Sequence, residues 1–209
     1  MAKIKLTKNE QKRQKDQLKQ FERYLPTLQL KKQQLQMVIR QIESEVEELK
    51  MKQQKLVRNL QDWVAVFHEN STFTPSQQLN QLIVVEEVVR GEGNIAGVTI
   101  PIFKDLIFQD ISWDLEFYPL WVDRGIEALR EIARFDAMIA TLERQIKLLG
   151  RELRTTTQRV NLFEKVKIPE TKENLRRIGI YLGDQQTAAV VTGKIAKRKL
   201  TRVSYGGAS

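Results

Sequence analysis

Apolar residues recur every seven positions through the first third of the chain. Counted from Leu18, the first positions are Leu18, Leu25, Lys32, Ile39, Val46, Gln53, Leu60 and Phe67. The fourth positions are Phe21, Leu28, Leu35, Ile42, Leu49, Leu56 and Trp63, so thirteen of these fifteen are apolar. A strand would alternate with period two, which this stretch does not do. A seven-residue repeat held this long predicts one long helix with a narrow apolar stripe, wound left-handed against a partner helix. The polar exceptions, Lys32 and Gln53, mark places where the seam is hydrated, loosened or touched by a neighbour.

A second repeat lies further on. Ile132, Ile139, Ile146, Leu153 and Val160 take the first positions and Phe135, Leu142, Leu149, Thr156 and Phe163 the fourth, nine of the ten apolar. One chain folding back on itself makes this helix the antiparallel partner of the first. Between the two, Leu82–Arg90 and Asn94–Phe103 read as strands, with Gly91-Glu92-Gly93 as a tight reversal. The fold class predicted is mainly α: a long antiparallel two-helix left-handed coiled coil with a small β-hairpin insertion. The divisions are an N-terminal helix over 1–68, a hairpin and aromatic-rich connection over 69–117, a C-terminal helix with a basic end over 118–203, and a flexible tail over 204–209. A lone hairpin is marginal in water, so it packs on the helices or on a partner.

Local signals refine this. Thr7 is placed to cap the first helix, with Glu10 completing a capping box. Pro26 predicts a kink without ending the helix, because the seven-residue phase carries through it. Asn70–Gln78 reads as loop. The second helix starts near Pro119; Pro169 interrupts it, Leu175, Ile178 and Leu182 resume an apolar stripe, and Gly183 and Gly193 loosen the last stretch. Glu48 with Lys52 and Glu143 with Lys147 are spaced for ion pairs along the helix surface. Six of the fifteen aromatic residues fall between 103 and 121: Phe103, Phe108, Trp113, Phe117, Tyr118 and Trp121. They form either a satellite core beneath the hairpin or a patch for a partner protein.

Composition bounds the class. The chain has 209 residues, is 29% charged and contains no cysteine, which excludes disulfides and thiolate metal sites. The start is too charged for a signal peptide. The longest aliphatic run, Leu82–Val85, is far short of a membrane helix. A cytoplasmic protein is expected from these counts. The net charge of +9 sits at the ends: residues 1–19 carry +5, residues 194–202 carry +5, and everything between carries −1. In an antiparallel pair both basic segments reach one end. Lys3, Lys5, Lys8, Lys194, Lys197, Arg198, Lys199 and Arg202 then make a basic tip. Such a tip suits an acidic or polar sleeve, or nucleic acid.

Signals for chemistry are few. His68 is the single histidine, in no metal-binding context. Glu86 and Glu87 are neighbours on a predicted strand and point to opposite faces. Glu43, Glu45, Glu47 and Glu48 spread round a helix surface. Gly91-Glu92-Gly93-Asn94-Ile95-Ala96 fits G-x-G-x-x-A, but a dinucleotide site needs a helix to begin there, and Gly97-Val98-Thr99-Ile100-Pro101 reads as strand. No catalytic, cofactor-binding or metal-binding residue is assigned.

Three stretches resemble the D subunit of the V-type (vacuolar and archaeal-type) ATPases and ATP synthases, in their bacterial branch. They are Leu6-Thr7-Lys8-Asn9 followed by Tyr24-Leu25-Pro26-Thr27-Leu28-Gln29-Leu30-Lys31-Lys32; Tyr118-Pro119-Leu120-Trp121-Val122-Asp123; and Thr155 through Pro169, where Arg159, Val160, Asn161, Glu164 and Pro169 fall on the family's motif positions. The segment after Gly183 departs from the highly charged end of many relatives. The resemblance implies a non-catalytic central-stalk rotor shaft, with both termini inside a hexamer of A and B subunits where the ATP chemistry occurs. It further implies contact with the small F subunit and with a membrane-rotor coupling subunit, without membrane insertion or nucleic acid. A structural coiled-coil adaptor, or a nucleic-acid-binding protein using the basic termini, is the alternative that the residues leave open.

Overall fold

The computed structural model describes residues 4–67, 82–112 and 122–206, apart from the side chains of 61–67 and 201–206. His68, the Asn70–Gln78 loop, the helix start at Pro119 and the aromatics Trp113, Phe117, Tyr118 and Trp121 lie outside the described residues. The elements in order are α1 (Lys8–Phe67), β1 (Val85–Ile95), β2 (Val98–Phe108), α2 (Val122–Leu162), a five-residue π-helical turn (Phe163–Lys167) and α3 (Ile168–Gly206). The protein is mainly helical with one small antiparallel sheet, the class expected from the two seven-residue repeats. The chain forms two compact units, Lys31–Thr155 and the pair Met1–Leu30 with Thr156–Ser209.

In the first unit the seam is apolar and tight. Leu35 and Leu149 are completely buried, and with Ile42 and Ile100 they centre a cluster that also takes in Ile39, Leu142, Ile146 and Leu153. Val46, Leu49 and Ile139 form the next cluster, flanked by Phe135. Leu82, Val122 and Ile126 form a third. Ion pairs and hydrogen bonds line the edges: Lys31 with Glu152 at 2.6 Å, Lys50 with Glu143 at 3.1 Å, and Gln53 donating to Asp136 at 2.7 Å. As one number rises along α1, its partner on α2 falls, so the helices are antiparallel here. Glu143 therefore reaches across to α1 rather than along to Lys147. Gln53, a polar interruption in the sequence pattern, is used as a cross-helix hydrogen-bond donor.

The hairpin departs from expectation. β1 and β2 pair from Ile95 opposite Val98 outward to Val85 opposite Phe108. The reversal is Ala96-Gly97, not Gly91–Gly93, and the strands run 85–95 and 98–108 instead of 82–90 and 94–103. Ala96 and Gly97 have φ of 51° and 80°, the left-handed pair required by a two-residue hairpin turn. The Gly97 N–H donates to Asn94 Oδ1 at 3.0 Å, locking that turn. Gly91 and Gly93 sit inside β1 for a different reason. A Cβ on Gly91 would meet Lys104 Cε at 2.7 Å, and one on Gly93 would meet Ile102 Cδ1 at 2.7 Å. The hairpin packs on the helices through Ile95, Val98 and Ile100, and Gln145 Nε2 donates to the Pro101 carbonyl at 2.6 Å.

The helix boundaries also differ. The Glu10 N–H donates to Thr7 Oγ1 at 3.3 Å, as a cap should. The other half of the capping box is missing, because the Glu10 carboxylate turns forward to Arg13 and Gln14. Pro26 lies inside α1 without ending it. Pro169 does not interrupt the helical path either; it sits in the first turn of α3, just beyond the π-helical turn. Gly183 and Gly193 are within α3, which continues to Gly206, so residues 204–206 are helical rather than tail. A glycine in a helix interior costs only about 1 kcal/mol relative to alanine, too little to stop a long helix.

Two substitutions test this packing. Leu149→Ala is expected to lower the stability of the isolated chain by about 2–5 kcal/mol in urea denaturation, since it opens a cavity in a closed cluster. Gly193→Ala is expected to raise it by about 0.5–1 kcal/mol, through helix propensity, because nothing lies within 4 Å of the added methyl.

Candidate functional site

Among the described residues, no group of three or more His, Asp or Glu side chains is placed to hold a metal ion. The G-x-G-x-x-A stretch forms the end of β1 and the first turn residue, so no helix N-terminus meets it. Glu86 falls at a register shift of β1 and both Glu86 and Glu87 are exposed. The features that remain are surfaces.

The second unit carries most of them. Here the start of α1 packs with the π-helical turn and α3. The Phe21 and Phe163 rings lie 5.2 Å apart, and Lys172 pairs with Glu22 at 3.3 Å. The seam contains polar members: Gln14, Thr156 and Thr171 are all buried. Gln14 is tied to Glu10, and the Thr171 hydroxyl donates to the Lys167 carbonyl at 2.6 Å.

The motif positions separate into two kinds. Val160 is buried and belongs to the seam. Arg159, Asn161, Glu164 and Pro169 are exposed around the π-helical turn, where Leu162 and Val166 also face solvent. The turn itself is defined by the Ile168 N–H donating to the Phe163 carbonyl, five residues back instead of four. The expectation of a simple break at Pro169 missed it. Its signal is in the apolar pattern: counting sevens past Val160 and Phe163 leads to Glu170, Arg177 and Tyr181, yet the residues turned inward are Thr171, Ile178 and Leu182, each one later.

The basic residues fall in the same unit. Lys5 and Lys8 are exposed at the start of α1. Lys194, Lys197, Arg198 and Lys199 are exposed on α3, in a stretch from Gly183 to Leu200 where every residue is exposed. No described element covers that stretch. Lys3 and the side chain of Arg202 lie outside the described residues. Val190, Val191, Ile195 and Leu200 are at least half exposed there, interleaved with the cations. This combination of exposed apolar and basic side chains was not anticipated by charge counting alone; the exposure of the apolar members needed the structure.

Earlier on α3, the Arg176 guanidinium grips the Glu173 carboxylate with two bonds of 2.8 Å and Arg177 adds a third at 3.1 Å. The Arg176 hydrogen bonds, followed by those of Arg177, hold the Glu173 carboxyl down at about 2, against an ordinary value of 4.5. On α1, Glu10 is also held below its ordinary value, chiefly by the amide of Gln14.

Comparison with known proteins adds identity to this geometry. Residues 10–198 match the family model for the D subunit of ATP synthase. The chain is 54% identical over 202 residues to the V-type ATP synthase D subunit of Borreliella burgdorferi, covering 97% of each chain. It is 30% identical over 197 residues to the V-type ATP synthase D subunit of Chlamydia pneumoniae, covering 94% of this chain and 93% of the other. It is 31% identical over 202 residues to that of Chlamydia trachomatis serovar L2, covering 95% and 97%.

The Glu173 cluster makes a pH prediction. A carboxyl whose folded value is depressed stabilises the fold above its unfolded value and loses that contribution as pH falls. The difference in melting midpoint between the parent and Glu173→Gln is therefore expected to be full at neutral pH, to shrink between 4.5 and about 2, and to vanish below that. It will be small, because the three side chains are exposed. Paired thermal melts at several pH values measure it.

Proposed function

We propose a rotor-shaft role for this chain, which belongs to the ATP synthase D-subunit family and is thereby a subunit of a V-type ATP synthase. The observation that carries the reading is the exposed stretch of α3. From Gly183 to Leu200 the helix exposes every residue. An isolated helix of that length is marginal in water, the more so with two glycines in it. Exposed apolar side chains rimmed by polar ones mark an interaction surface. A surround that covers Val190, Val191, Ile195 and Leu200 while meeting Lys194, Lys197, Arg198 and Lys199 would hold it. The lumen of a ring of A and B subunits supplies such a surround.

ATP chemistry belongs to the A and B subunits, and this chain's part is non-catalytic. Its faces are unequal, so each orientation within the ring favours a different conformation of the nearest catalytic subunit. A contact can shift a conformational equilibrium only by its differential affinity for the two states, and an asymmetric helix end offers each ring position a different contact. Turning the shaft then drives each position through the same sequence of states, and nucleotide turnover drives the shaft. The small F subunit binds lower on the helix pair, and the hairpin end meets the subunit that couples to the membrane rotor. The chain works on the cytoplasmic face as a peripheral component. Among the described residues, no helix is long and apolar enough to cross a membrane.

The runner-up is nucleic-acid binding through the basic ends. The apolar residues between the cations favour the ring instead, since phosphate recognition has no use for them.

Substituting Lys197, Arg198 and Lys199 together by glutamate is expected to weaken assembly with the A and B subunits and to slow ATP turnover of the reconstituted complex, while the isolated chain keeps its helix content. Intact assembly and turnover in that variant would remove the proposed contact. Steeply salt-dependent binding of the parent chain to DNA or RNA would favour the runner-up.

A further inference from the structure

A left-handed helix pair keeps its seam only while the apolar stripe holds its seven-residue phase. Before the π-helical turn the inward positions are Thr156, Val160 and Phe163; after it they are Ile168, Thr171, Leu175, Ile178 and Leu182, every one buried or half-buried. Counting on without a break would put Lys167, Glu170, Asn174, Arg177 and Tyr181 inward; Lys167 and Asn174 are half-buried, but Glu170, Arg177 and Tyr181 are exposed. The two sets differ by one residue throughout. One residue is 100° of helix rotation. A π-helical turn holds one residue more than an α-helical turn. The turn at Phe163–Lys167 therefore absorbs the one extra residue by which the two stripes disagree.

A second feature holds the extra residue at this level. Pro169 follows directly, and a proline inside an α-helix clashes with the carbonyl four residues back and donates no hydrogen bond. The wide turn lies just where that clash would arise, on the N-terminal side of Pro169. The facing helix is irregular close by. Phe21 meets Phe163 and Glu22 meets Lys172, and Pro26 is one turn further along α1. Pro26, like Pro169, donates no backbone hydrogen bond to its own helix. Thr27 and Thr171 add side-chain bonds to the Tyr24 and Lys167 carbonyls, at 2.7 and 2.6 Å.

We propose that the turn at Phe163–Lys167 is a one-residue register adaptor, locked in place by Pro169, which keeps the apolar stripe of α3 on α1 and makes this level the torsionally soft joint of the helix pair. The inference goes beyond the rotor reading and does not depend on it, because it concerns the packing of one chain. Arg159, Asn161 and Glu164 stand exposed round the joint, which gives these motif positions a place on a mechanical element.

The test uses the full-length chain. A variant lacking Lys165 and carrying Pro169→Ala removes both the extra residue and its lock, and leaves both stripes in one continuous phase. It is expected to keep the parent's helix content and to melt at or above the parent's midpoint. Amide exchange over residues 163–168, faster than in the flanking helix by about tenfold or more in the parent, is expected to slow to the flanking rate. A second variant with one alanine inserted after Lys165 puts the stripes two residues out of phase and is expected to melt well below the parent. A deletion variant melting more than about 5 °C below the parent would overturn the proposal. So would an insertion tolerated as well as the deletion, or parent exchange at 163–168 no faster than its surroundings.

Discussion

The structure depends on one constraint: two helical stripes with a seven-residue period must stay facing each other. Where the stripe is uniformly apolar, as around Leu35, Ile42, Leu149 and Ile139, the helices close into buried clusters and leave only an edge of ion pairs. Where the stripe includes Gln14, Thr156 and Thr171, the same constraint is met with polar side chains, two of which, Gln14 and Thr171, bond within their own helical stretch. Where the period fails by one residue, the backbone widens by one residue. Every irregularity on the way, including both helical prolines, is accommodated without giving up the seam.

Much of this was legible in the sequence. Period seven is a direct consequence of helix geometry, so it predicted the helices and, among the described side chains, named residues such as Leu35, Ile42, Val46, Leu49, Ile139 and Leu149 that are buried. Lys32 and Gln53 were visible as exceptions, and Gln53 is one because it bonds to Asp136. The Thr7 cap was legible because the cap needs one hydroxyl at one position. The hairpin was misplaced for an equally physical reason. Glycine serves both tight turns and close cross-strand packing, and the sequence does not say which. Gly91 and Gly93 make room for Lys104 and Ile102, while the turn fell to Ala96-Gly97 with Asn94 beside it.

The candidate surfaces were legible only in part. Charge counting found the basic ends, because charge needs no fold to be counted. It did not find that Val190, Val191, Ile195 and Leu200 are exposed among those cations, because an apolar residue in a long helix is ordinarily expected to face inward. Gly183 and Gly193 read as loosening the last stretch, yet α3 runs through both, because a local cost of this size is readily met once a helix is already long. The π-helical turn was present as a phase slip between Phe163 and Thr171, hidden behind the more obvious Pro169.

The rotor role proposed for this chain makes its motion relative to the A and B subunits the property to measure. The most direct measurement fixes the A and B subunits of the native complex to a surface and attaches an optical probe to this chain where it emerges from them. Under ATP hydrolysis the account predicts stepwise rotation of the probe in one direction, stopping when ATP is withdrawn. A probe that stays fixed while the same complexes go on hydrolysing ATP would contradict it.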